Sequence, residues 1–507
     1  MTRPGTPTLT VAQLDRAAGV LLATACGDAL GAGYEFEPPI GDGADVGMVG
    51  GGGYGWEPGE WTDDTSMAVA IAEVSATGID LRAPSALDAV AIRWSGWAQV
   101  ATDVGIQTHA VLTAAGRVPT GATLAAAATA HHARSGRSGG NGSLMRTAPV
   151  ALAYLDDPGA LVEAAHAVSA LTHHDPEAGE ACALWCLAIR HAVLHGTFDG
   201  LRLALETLPT ARRAVWAERL DEAEANPPSY FTTNGWVVHA LQGAWSAISR
   251  TAVPEEDPAA EVFAAQHLQL GLEAAVRGGW DTDTVAAIAG GLLGARWGAS
   301  AVPAPWRRVV HGWPGLRSRD LIRLAVLTAR GGLPDPQGWP TTEVFDYSTC
   351  GDLSALAVHP HDDGVLLGAI DALRRLPYGV DAVVSLCRLG RTEVPAGGVE
   401  PANHVEVWLV DRPEPAANPN LDFVLHDAAQ AVAALRSEGR TVLVHCVQAQ
   451  SRTPAVGALY SALACGVPVE RALADVRDAL PHAGPNPGFI DALDRLDGAT
   501  SGACPPE

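Results

Sequence analysis

The sequence predicts a multidomain protein in which an all-α domain is followed by an α/β domain. From residue 11 to about residue 330, apolar residues recur in Ala- and Leu-rich runs without the alternation typical of strands. After a Pro- and Gly-dense stretch at residues 331–340, short β-branched runs alternate with helical runs, which is typical of a sheet rich in parallel strands. The chain has 507 residues and 48% hydrophobic content, which is enough for two or three cores.

Taken in order, the elements divide into two groups at the Pro- and Gly-dense stretch. The helical runs of the first group cover residues 14–32, 65–76, 85–98, 161–171, 178–194, 262–276 and 285–297. The second group has predicted strands at 382–386, 405–410 and 441–444, and predicted helices at 364–376, 422–438 and 454–464. We therefore expect an all-α domain over residues 10–332, a linker over 333–344 and an α/β domain over 345–497.

Composition excludes several classes of function. The formal net charge is −24, so neither nucleic acid nor an anionic membrane is expected as a general partner. The opening residues 1–7 lack the features of a signal peptide, and the spacing of the eight cysteines suggests no disulfide framework. No uninterrupted apolar stretch reaches the ~20 residues that a membrane span requires. We expect a cytoplasmic protein with reduced thiols.

Two short clusters of carboxylates and hydroxyls each stand directly before a helical run. They are Trp61-Thr62-Asp63-Asp64-Thr65 and Asp281-Thr282-Asp283-Thr284. Either cluster alone is most simply an ordinary helix N-cap. Four carboxylates at two helix starts would repel one another without a cation, and hard oxygen ligands suit Mg²⁺, Mn²⁺ or Ca²⁺. We expect the hydroxyl of Thr62 or Thr284 to complete an octahedral shell and Asp283 to bridge two ions.

The first 300 or so residues resemble the ADP-ribosylglycohydrolase family. The stretches that carry the resemblance occur in family order over nearly the whole domain: Gly27-Asp-Ala-Leu-Gly-Ala-Gly-Tyr-Glu35, Gly59-Glu-Trp-Thr-Asp-Asp-Thr65, Gly140-Asn-Gly-Ser-Leu-Met-Arg146, Thr172-His173, and the second carboxylate cluster. The resemblance implies an all-α fold with a binuclear Mg²⁺ centre, in which Mn²⁺ is the alternative ion.

The resemblance also implies roles for individual residues. The metal ligands would be Thr62, Asp63, Asp64, Asp281, Asp283 and Thr284. Glu35 would be the catalytic acidic residue beside the metals and the scissile bond. Substrate-binding residues would be Gly140, Asn141, Gly142, Ser143 and His173, because a glycine-rich loop lets backbone approach a diphosphate. The substrate would be an ADP-ribosylated protein or a small-molecule ADP-ribose conjugate, with the type of linkage left open.

A second chemical signal lies far downstream, at Cys446. The thiol follows a predicted strand, and Arg452 closes a Cys-x5-Arg loop just before a predicted helix. Backbone N–H groups of such a loop hold an oxyanion, and the helix dipole with His445 favours a nucleophilic thiolate. A lone His-Cys pair is more often part of a core, but here the strand, loop and helix follow one another in order.

Residues 345–497 resemble the dual-specificity subgroup of cysteine phosphatases, on the His-Cys-x5-Arg loop, Asp411 and Pro485-Asn-Pro-Gly-Phe-Ile490. By resemblance, Cys446 is the nucleophile, Arg452 binds the phosphate, Asp411 is the general acid and Thr453 helps to release the thiolate. Ala449 stands where that loop commonly has glycine. If the φ of Ala449 is positive, alanine destabilises the loop conformation by about 1 kcal/mol relative to glycine.

The leading interpretation is a bifunctional enzyme that removes ADP-ribose and hydrolyses a phosphorylated substrate. A second interpretation keeps the glycohydrolase active and gives the C-terminal domain only weak catalysis or phosphate binding. The third is a non-catalytic ADP-ribose-binding module of the immunity type. The complete set of predicted metal ligands argues against this third interpretation.

Overall fold

The computed structural model describes residues 8–41 and 43–497, and its contacts divide the chain into two compact units. Of the described residues, the first unit comprises those in 8–252, 267–302 and 309–333, and the second comprises 253–266, 303–308 and 334–497. The opening residues 1–7, considered above as a leader, and Cys504 lie outside the described residues. No helix among those described is both long and apolar enough to cross a membrane.

The first unit is helical apart from a two-stranded antiparallel hairpin. Its helices are α1 (Val11–Gly31), α2 (Asp63–Ser75), α3 (Pro84–Trp97), α4 (Ile106–Ala115), α5 (Gly121–Ser135), α6 (Ala148–Ala153), α7 (Pro158–Ser169), α8 (Pro176–His195), α9 (Gly200–Ala204), α10 (Thr210–Ala225), α11 (Val237–Arg250), α12 (His267–Arg277), α13 (Thr282–Trp297) and α15 (Ser318–Ala329). The hairpin pairs β1 (His311–Gly312) with β2 (Leu316–Arg317). The short helix α14 (Ala304–Val309) belongs to the second unit as far as Arg308.

Helices α1 and α13 pack backbone against backbone in the centre of the first unit. A Cβ added at Gly27 would lie 2.2 Å from the carbonyl oxygen of Ala286, and one at Gly290 would lie 2.1 Å from that of Ala23. Only glycine fits at such separations. Near the end of the contact, a Cβ at Gly31 would lie 2.4 Å from the backbone nitrogen of Asp283. The glycines therefore bring the end of α1 against the start of α13.

The second unit is built on a five-stranded mixed sheet. Its strands and helices are β3 (Leu356–His359), β4 (Asp362–Gly368), α16 (Ile370–Arg374), β5 (Ala382–Ser385), β6 (His404–Glu406), α17 (Leu421–Ser437), β7 (Val442–His445), α18 (Arg452–Cys465), α19 (Val469–Ala479) and α20 (Pro487–Asp497). The strand order is β3-β4-β7-β5-β6, with β3 antiparallel to β4 and the other pairs parallel. The central strands β5 and β7 are buried throughout, as expected of parallel strands covered on both faces.

The predicted order of an all-α part followed by an α/β part is confirmed, with several local errors. The prediction of a helix over 364–376 is wrong in its first part, because residues 362–368 form strand β4, which pairs with β7 from Val365 to Gly368; only α16 (Ile370–Arg374) is helical there. Val365 and Leu367 are fully buried while Leu366 is less so, and this alternation is typical of a strand whose successive side chains point to opposite faces of the sheet. Strand β3 was not predicted. The helix predicted from residue 262 begins at His267.

The α1–α13 contact leads to a stability prediction with a matched control. Gly290→Ala places a methyl group against the backbone of α1, and we expect it to lower the free energy of unfolding by about 2 kcal/mol or more. Gly96 also lies in a helix, but a Cβ there meets nothing within 4 Å. Gly96→Ala should therefore stabilise the protein by about 0.5–1 kcal/mol. Chemical denaturation of both variants tests this, and equal effects would contradict the close contact.

Candidate active sites

The first carboxylate cluster opens helix α2, but it does not cap that helix. The N-cap residue Thr62 makes no side-chain capping bond. The capping role belongs instead to the buried Asp28 of α1, whose Oδ1 accepts from the Thr62 N–H at 2.8 Å and whose Oδ2 accepts from the Thr65 N–H at 2.9 Å. The ordinary capping interpretation therefore fails here, and the side chains of the cluster are left for another role.

Carboxylates from both clusters meet in two groups that share one residue. The oxygens of Asp28, Asp64 and Asp283 lie within 4.8 Å of one another, and so do those of Glu35, Asp281 and Asp283. The shared residue is Asp283, at the start of α13. A carboxylate common to two oxygen clusters is the arrangement that a bridging ligand of two ions requires.

Thr62 and Thr284 lie beside this pair of groups. The Thr62 hydroxyl lies 3.1 Å from Oδ2 of Asp64 and 3.3 Å from Oδ2 of Asp283. The Thr284 N–H donates to Oδ1 of Asp283 at 2.8 Å. Among the described residues, Asp63 belongs to neither carboxylate group, and its Oδ2 instead accepts from the Gly105 N–H at 3.4 Å.

The charges of the site are unfavourable as they stand. Burial, with the charges of neighbouring carboxylates, raises the pKa of Glu35 to about 9 and that of Asp63 to about 8. The same two causes raise the pKa values of Asp64 and Asp283 well above their usual range. The carboxylates therefore resist ionising together without a cation.

The donor set fits a hard divalent cation. Oδ1 of Asp64 is buried and accepts no hydrogen bond from any described residue. The surrounding ligand atoms are carboxylate and hydroxyl oxygens, which suit Mg²⁺ or Mn²⁺ better than zinc. The residues that would hold two ions are Asp64, Asp283 and Asp281, with Thr62 and Glu35 beside them.

The predicted substrate loop at residues 140–143 packs against His173. A Cβ at Gly140 would lie 3.3 Å from Nε2 of His173, and one at Gly142 would lie 3.2 Å from its Cε1. Nδ1 of His173 lies 2.7 Å from the Thr172 hydroxyl, which also accepts from the Arg146 guanidinium at 2.6 Å. Nε2 of the ring faces the glycines. Burial lowers the pKa of His173 well below its usual range, so the ring is neutral.

The same loop is tied to the carboxylate centre through Asn141. Its Nδ2 donates to Oδ2 of Asp281 at 2.8 Å and to the Asn234 carbonyl at 2.9 Å. Asn234 in turn accepts from the Asp281 N–H at 3.2 Å and donates to the Gly279 carbonyl at 3.0 Å. Ser143 is buried and accepts from the Cys182 thiol at 3.5 Å. The predicted substrate-binding residues thus lie together on the Asp281 side of the centre.

Three residues of this region received no role from the sequence. Asp28 lies in a motif that the sequence did show, but its capping of α2 depends on contact between distant segments. Asn234 stands in a loop without a recognisable pattern. Asp103 also stands in a loop, and its charge, after burial and Asp281, contributes to the raised pKa of Glu35. Only the fold brings these three to the centre.

In the second unit, Cys446 follows β7 directly, and α18 begins at Arg452. The thiol is buried, and the Cys446 N–H donates to the Gly368 carbonyl at 3.3 Å. The Thr453 hydroxyl donates to the same carbonyl at 3.4 Å, so this contact orients Thr453 at the base of the loop. The predicted strand, loop and helix are thus present in order.

A buried chain of hydrogen bonds determines the state of His445. The Ala396 N–H donates to Nδ1 of His404 at 3.0 Å, so the proton of the neutral His404 ring lies on Nε2, 2.8 Å from the Ser385 hydroxyl. Ser385 then donates to Nε2 of His445 at 2.6 Å, which leaves the His445 proton on Nδ1, 3.3 Å from the Cys446 carbonyl. Burial lowers the pKa of His445 to about 4. His445 is therefore neutral, so any help that it gives to a thiolate at Cys446 comes through hydrogen bonds rather than a positive charge.

Arg452 and Asp411 lie next to each other at this loop. Arg452 donates to the Leu386 carbonyl at 2.8 Å, and its Nε lies 3.6 Å from Oδ2 of Asp411. Oδ1 of Asp411 accepts from the Ser451 hydroxyl at 2.7 Å and from Nδ2 of Asn486 at 2.9 Å. The residues predicted to bind phosphate and to donate a proton therefore meet over the loop.

Ala449 adopts the left-handed backbone conformation, the positive φ that was considered for this position from the sequence. Its φ is 55°, where an alanine is strained and glycine is not. The loop therefore carries backbone strain of about 1 kcal/mol at this residue.

Comparison with known proteins identifies the first part of the chain. A family model described as ADP-ribosylglycohydrolase matches residues 9–334. The chain belongs to the ADP-ribosylglycohydrolase family. An ADP-ribosylarginine hydrolase, Tri1 of Pseudomonas putida, is 30% identical over 309 residues, which cover 59% of this chain and 75% of that protein.

The C-terminal part is similar to dual-specificity phosphatases, over a shorter stretch. Dual specificity protein phosphatase 1 of Arabidopsis thaliana is 29% identical over 103 residues, which cover 20% of this chain and 52% of that protein. The crystal structure of human DUSP28 covers 28% of this chain and 92% of its own, at 26% identity and a TM-score of 0.24. The chain spans about half of the plant phosphatase.

The raised pKa values of the carboxylate centre predict a pH-dependent response to Mg²⁺. Without divalent ions, native Glu35 and Asp63 hold protons that the unfolded chain has lost, so stability should fall as the pH rises through about 5 to 8. Because ions replace these protons, the rise in Tm on adding Mg²⁺ should be larger at pH ~8 than at pH ~5.5. Asp283→Asn should remove most of this rise. An unchanged Mg²⁺ response in that variant would contradict the shared-carboxylate arrangement.

Proposed function

We propose that this protein is a divalent-metal-dependent hydrolase that cleaves the glycosidic bond between ADP-ribose and an arginine side chain of a modified protein. The observation that carries the proposal is Asp283, whose carboxylate is common to the two oxygen clusters of the first unit. Membership of the ADP-ribosylglycohydrolase family supports the reaction. The Pseudomonas putida relative, by name an ADP-ribosylarginine hydrolase, supports the linkage.

Each site residue has a part in this proposal. Asp64, Asp281 and Asp283 would hold the ions, with Thr62 and Thr284 beside them. Asp63, which the sequence predicted as a further ligand, lies outside both carboxylate groups, so it would reach an ion only from the side of Gly105. When bound, the ions supply Lewis acidity to the vicinal hydroxyls of the ribose. Glu35 takes a proton from the attacking water, and nearby negative charge stabilises an oxocarbenium-like transition state. The loop of residues 140–143 and His173 bind the diphosphate side of the substrate through backbone N–H groups and the imidazole ring.

A Cys-dependent phosphatase activity of the C-terminal unit is a second proposal, supported by the loop geometry. Cys446 lies at the start of a Cys-x5-Arg loop at the N-terminus of α18, with Arg452 and Asp411 over it. Cys446 would attack phosphorus and Asp411 would protonate the leaving oxygen. The strain at Ala449 favours low activity, so a unit that mainly binds phosphate is the alternative.

A cytoplasmic location and the division into residues 10–332, 333–344 and 345–497 remain predictions.

Glu35→Gln tests the glycohydrolase. The variant keeps the shape of the side chain but cannot accept a proton from water, so we expect turnover to fall about 100-fold or more while ADP-ribose binding persists. Glu37→Gln is the matched control, since Glu37 is exposed and outside both carboxylate groups. The measurement is release of free ADP-ribose from ADP-ribosylarginine in Mg²⁺. Equal rates for wild type and Glu35→Gln would contradict the assigned role.

Cys446→Ser tests the phosphatase. We expect it to abolish hydrolysis of an aryl phosphate without changing ADP-ribose release, because a serine hydroxyl stays protonated. Cys465→Ser is the matched control, since this thiol is exposed. Asp411→Asn should slow the reaction most for poor leaving groups, and Ala449→Gly should keep or raise the rate by relieving strain. A wild-type rate equal to that of Cys446→Ser on aryl, peptide and nucleotide phosphates would leave phosphate binding as the function.

A further inference from the structure

Two segments that reach the carboxylate centre of the first unit are joined by a pair of backbone hydrogen bonds. The Phe36 N–H, next to Glu35, donates to the Trp280 carbonyl at 2.6 Å. The Trp280 N–H, next to Asp281, donates to the Glu37 carbonyl at 2.7 Å. Phe36 and Trp280 therefore stand together at the edge of the centre, each beside one of its carboxylates.

Both of these aromatic residues have a left-handed backbone. The φ of Phe36 is 67° and that of Trp280 is 66°, in the region where glycine is relaxed and any other residue is strained. Glycine would make the same two backbone hydrogen bonds without this strain. Strained residues beside a functional site persist where the site uses what they supply. What these two positions supply beyond glycine is an aromatic side chain.

The aromatic side chains at this edge lie largely in solvent. The exposed fraction is 60% for Phe36, 38% for Trp280 and 39% for Tyr54, whose ring centroid lies 6.4 Å from that of Phe36. We call these three residues the aromatic rim. Small-molecule sites are concave and bury most of their ligand, whereas exposed aromatic side chains are enriched where proteins contact one another. The rim therefore fits a polypeptide better than a nucleotide.

The charge around the aromatic rim is negative. Residues 33–57 and 278–284, which carry the rim, contain no arginine, lysine or histidine. They present exposed carboxylates at Glu37 and Asp45. Arg277, just before the second segment, is paired with Glu273 at 3.1 Å. A partner that complements this surface carries basic as well as apolar side chains.

We propose that the aromatic rim docks the polypeptide that carries the ADP-ribosyl group, through apolar and basic side chains on either side of the modified residue. The inference rests on the proposed function and adds a preference for protein-attached over free substrate. Because the rim adjoins Glu35 and Asp281, a polypeptide whose modified side chain reaches the centre passes beside it. Contacts at the rim strengthen binding of the polypeptide and leave the chemistry at the centre unchanged.

The test compares two substrates of the full chain in Mg²⁺: free ADP-ribosylarginine, and a peptide with one ADP-ribosylated arginine between leucine and lysine residues. We expect Trp280→Ala to raise KM for the peptide about tenfold and to leave KM for the free substrate within about twofold of wild type. Trp280→Phe keeps an aromatic ring and should restore most of the peptide affinity. A displacement of Glu35 or Asp281 would instead change kcat for both substrates alike.

Trp280→Gly separates the loss of the ring from the backbone strain. It removes the indole as Trp280→Ala does, but glycine relaxes the left-handed backbone, so its Tm should exceed that of Trp280→Ala. The KM values of these two variants for the peptide should be equal. Leu203→Ser is the matched surface control, because Leu203 is 57% exposed on α9 and lies outside the rim. It should leave KM unchanged for both substrates.

Two results would overturn the docking surface. One is an unchanged KM for the peptide in both Trp280→Ala and Phe36→Ala. The other is an equal rise in KM for the free substrate and the peptide, which would assign the rim to the nucleotide.

Failure of the proposed function gives a different result, because wild type would then hydrolyse neither substrate. Fluorescence anisotropy of the labelled peptide with wild type and Trp280→Ala then decides the docking surface. Binding that is about tenfold weaker in the variant supports it. Equal binding to both proteins, or no binding to wild type, overturns it.

Discussion

The glycohydrolase centre depends on the contact between α1 and α13. Glycines on both helices let the two backbones approach so closely that any side chain would collide with a carbonyl group. This contact sets the start of α13, with Asp283, against the end of α1, from which Asp28 and Glu35 extend to the centre. Residues more than 200 positions apart thereby share one cluster of oxygens. Close packing of this kind transmits small displacements, so the geometry of the centre depends on those glycines.

Asp28 connects this packing to the start of α2. Its two carboxylate oxygens accept the N–H groups of Thr62 and Thr65, and the second of these is the N–H that a side chain at the N-cap position usually accepts. Because a neighbouring helix supplies the cap, Thr62 and Asp64 can turn toward Asp283. The cost is a buried cluster of acids, which only protons or cations can neutralise. A site of this kind is stable when a cation occupies it and strained when none does.

The sequence was sufficient to predict the fold class and most of the chemistry-bearing residues, because both carboxylate clusters and the Cys-x5-Arg loop are local patterns. The sequence was insufficient where contacts between distant segments determine the secondary structure or the position of a side chain. Residues 362–368 have no strong local preference and become a strand only because they pair with β7. Asp103 and Asn234 stand in loops of no evident pattern, and their proximity to Glu35 and Asp281 arises from the fold. The neutral state of His445 likewise depends on Ser385 and His404 from neighbouring strands.

The two units differ in the charge that surrounds their reactive groups. In the first, buried carboxylates gather with no basic side chain bonded to them among the hydrogen bonds described above, and a cation is needed before they can ionise together. In the second, a buried thiol lies near the guanidinium of Arg452, while the adjacent His445 is held neutral by its hydrogen bonds. Positive charge at the loop therefore comes from Arg452 and the N-terminus of α18. His445 contributes by orienting the Cys446 carbonyl through Nδ1, which makes Ser385 and His404 positioning residues for the loop.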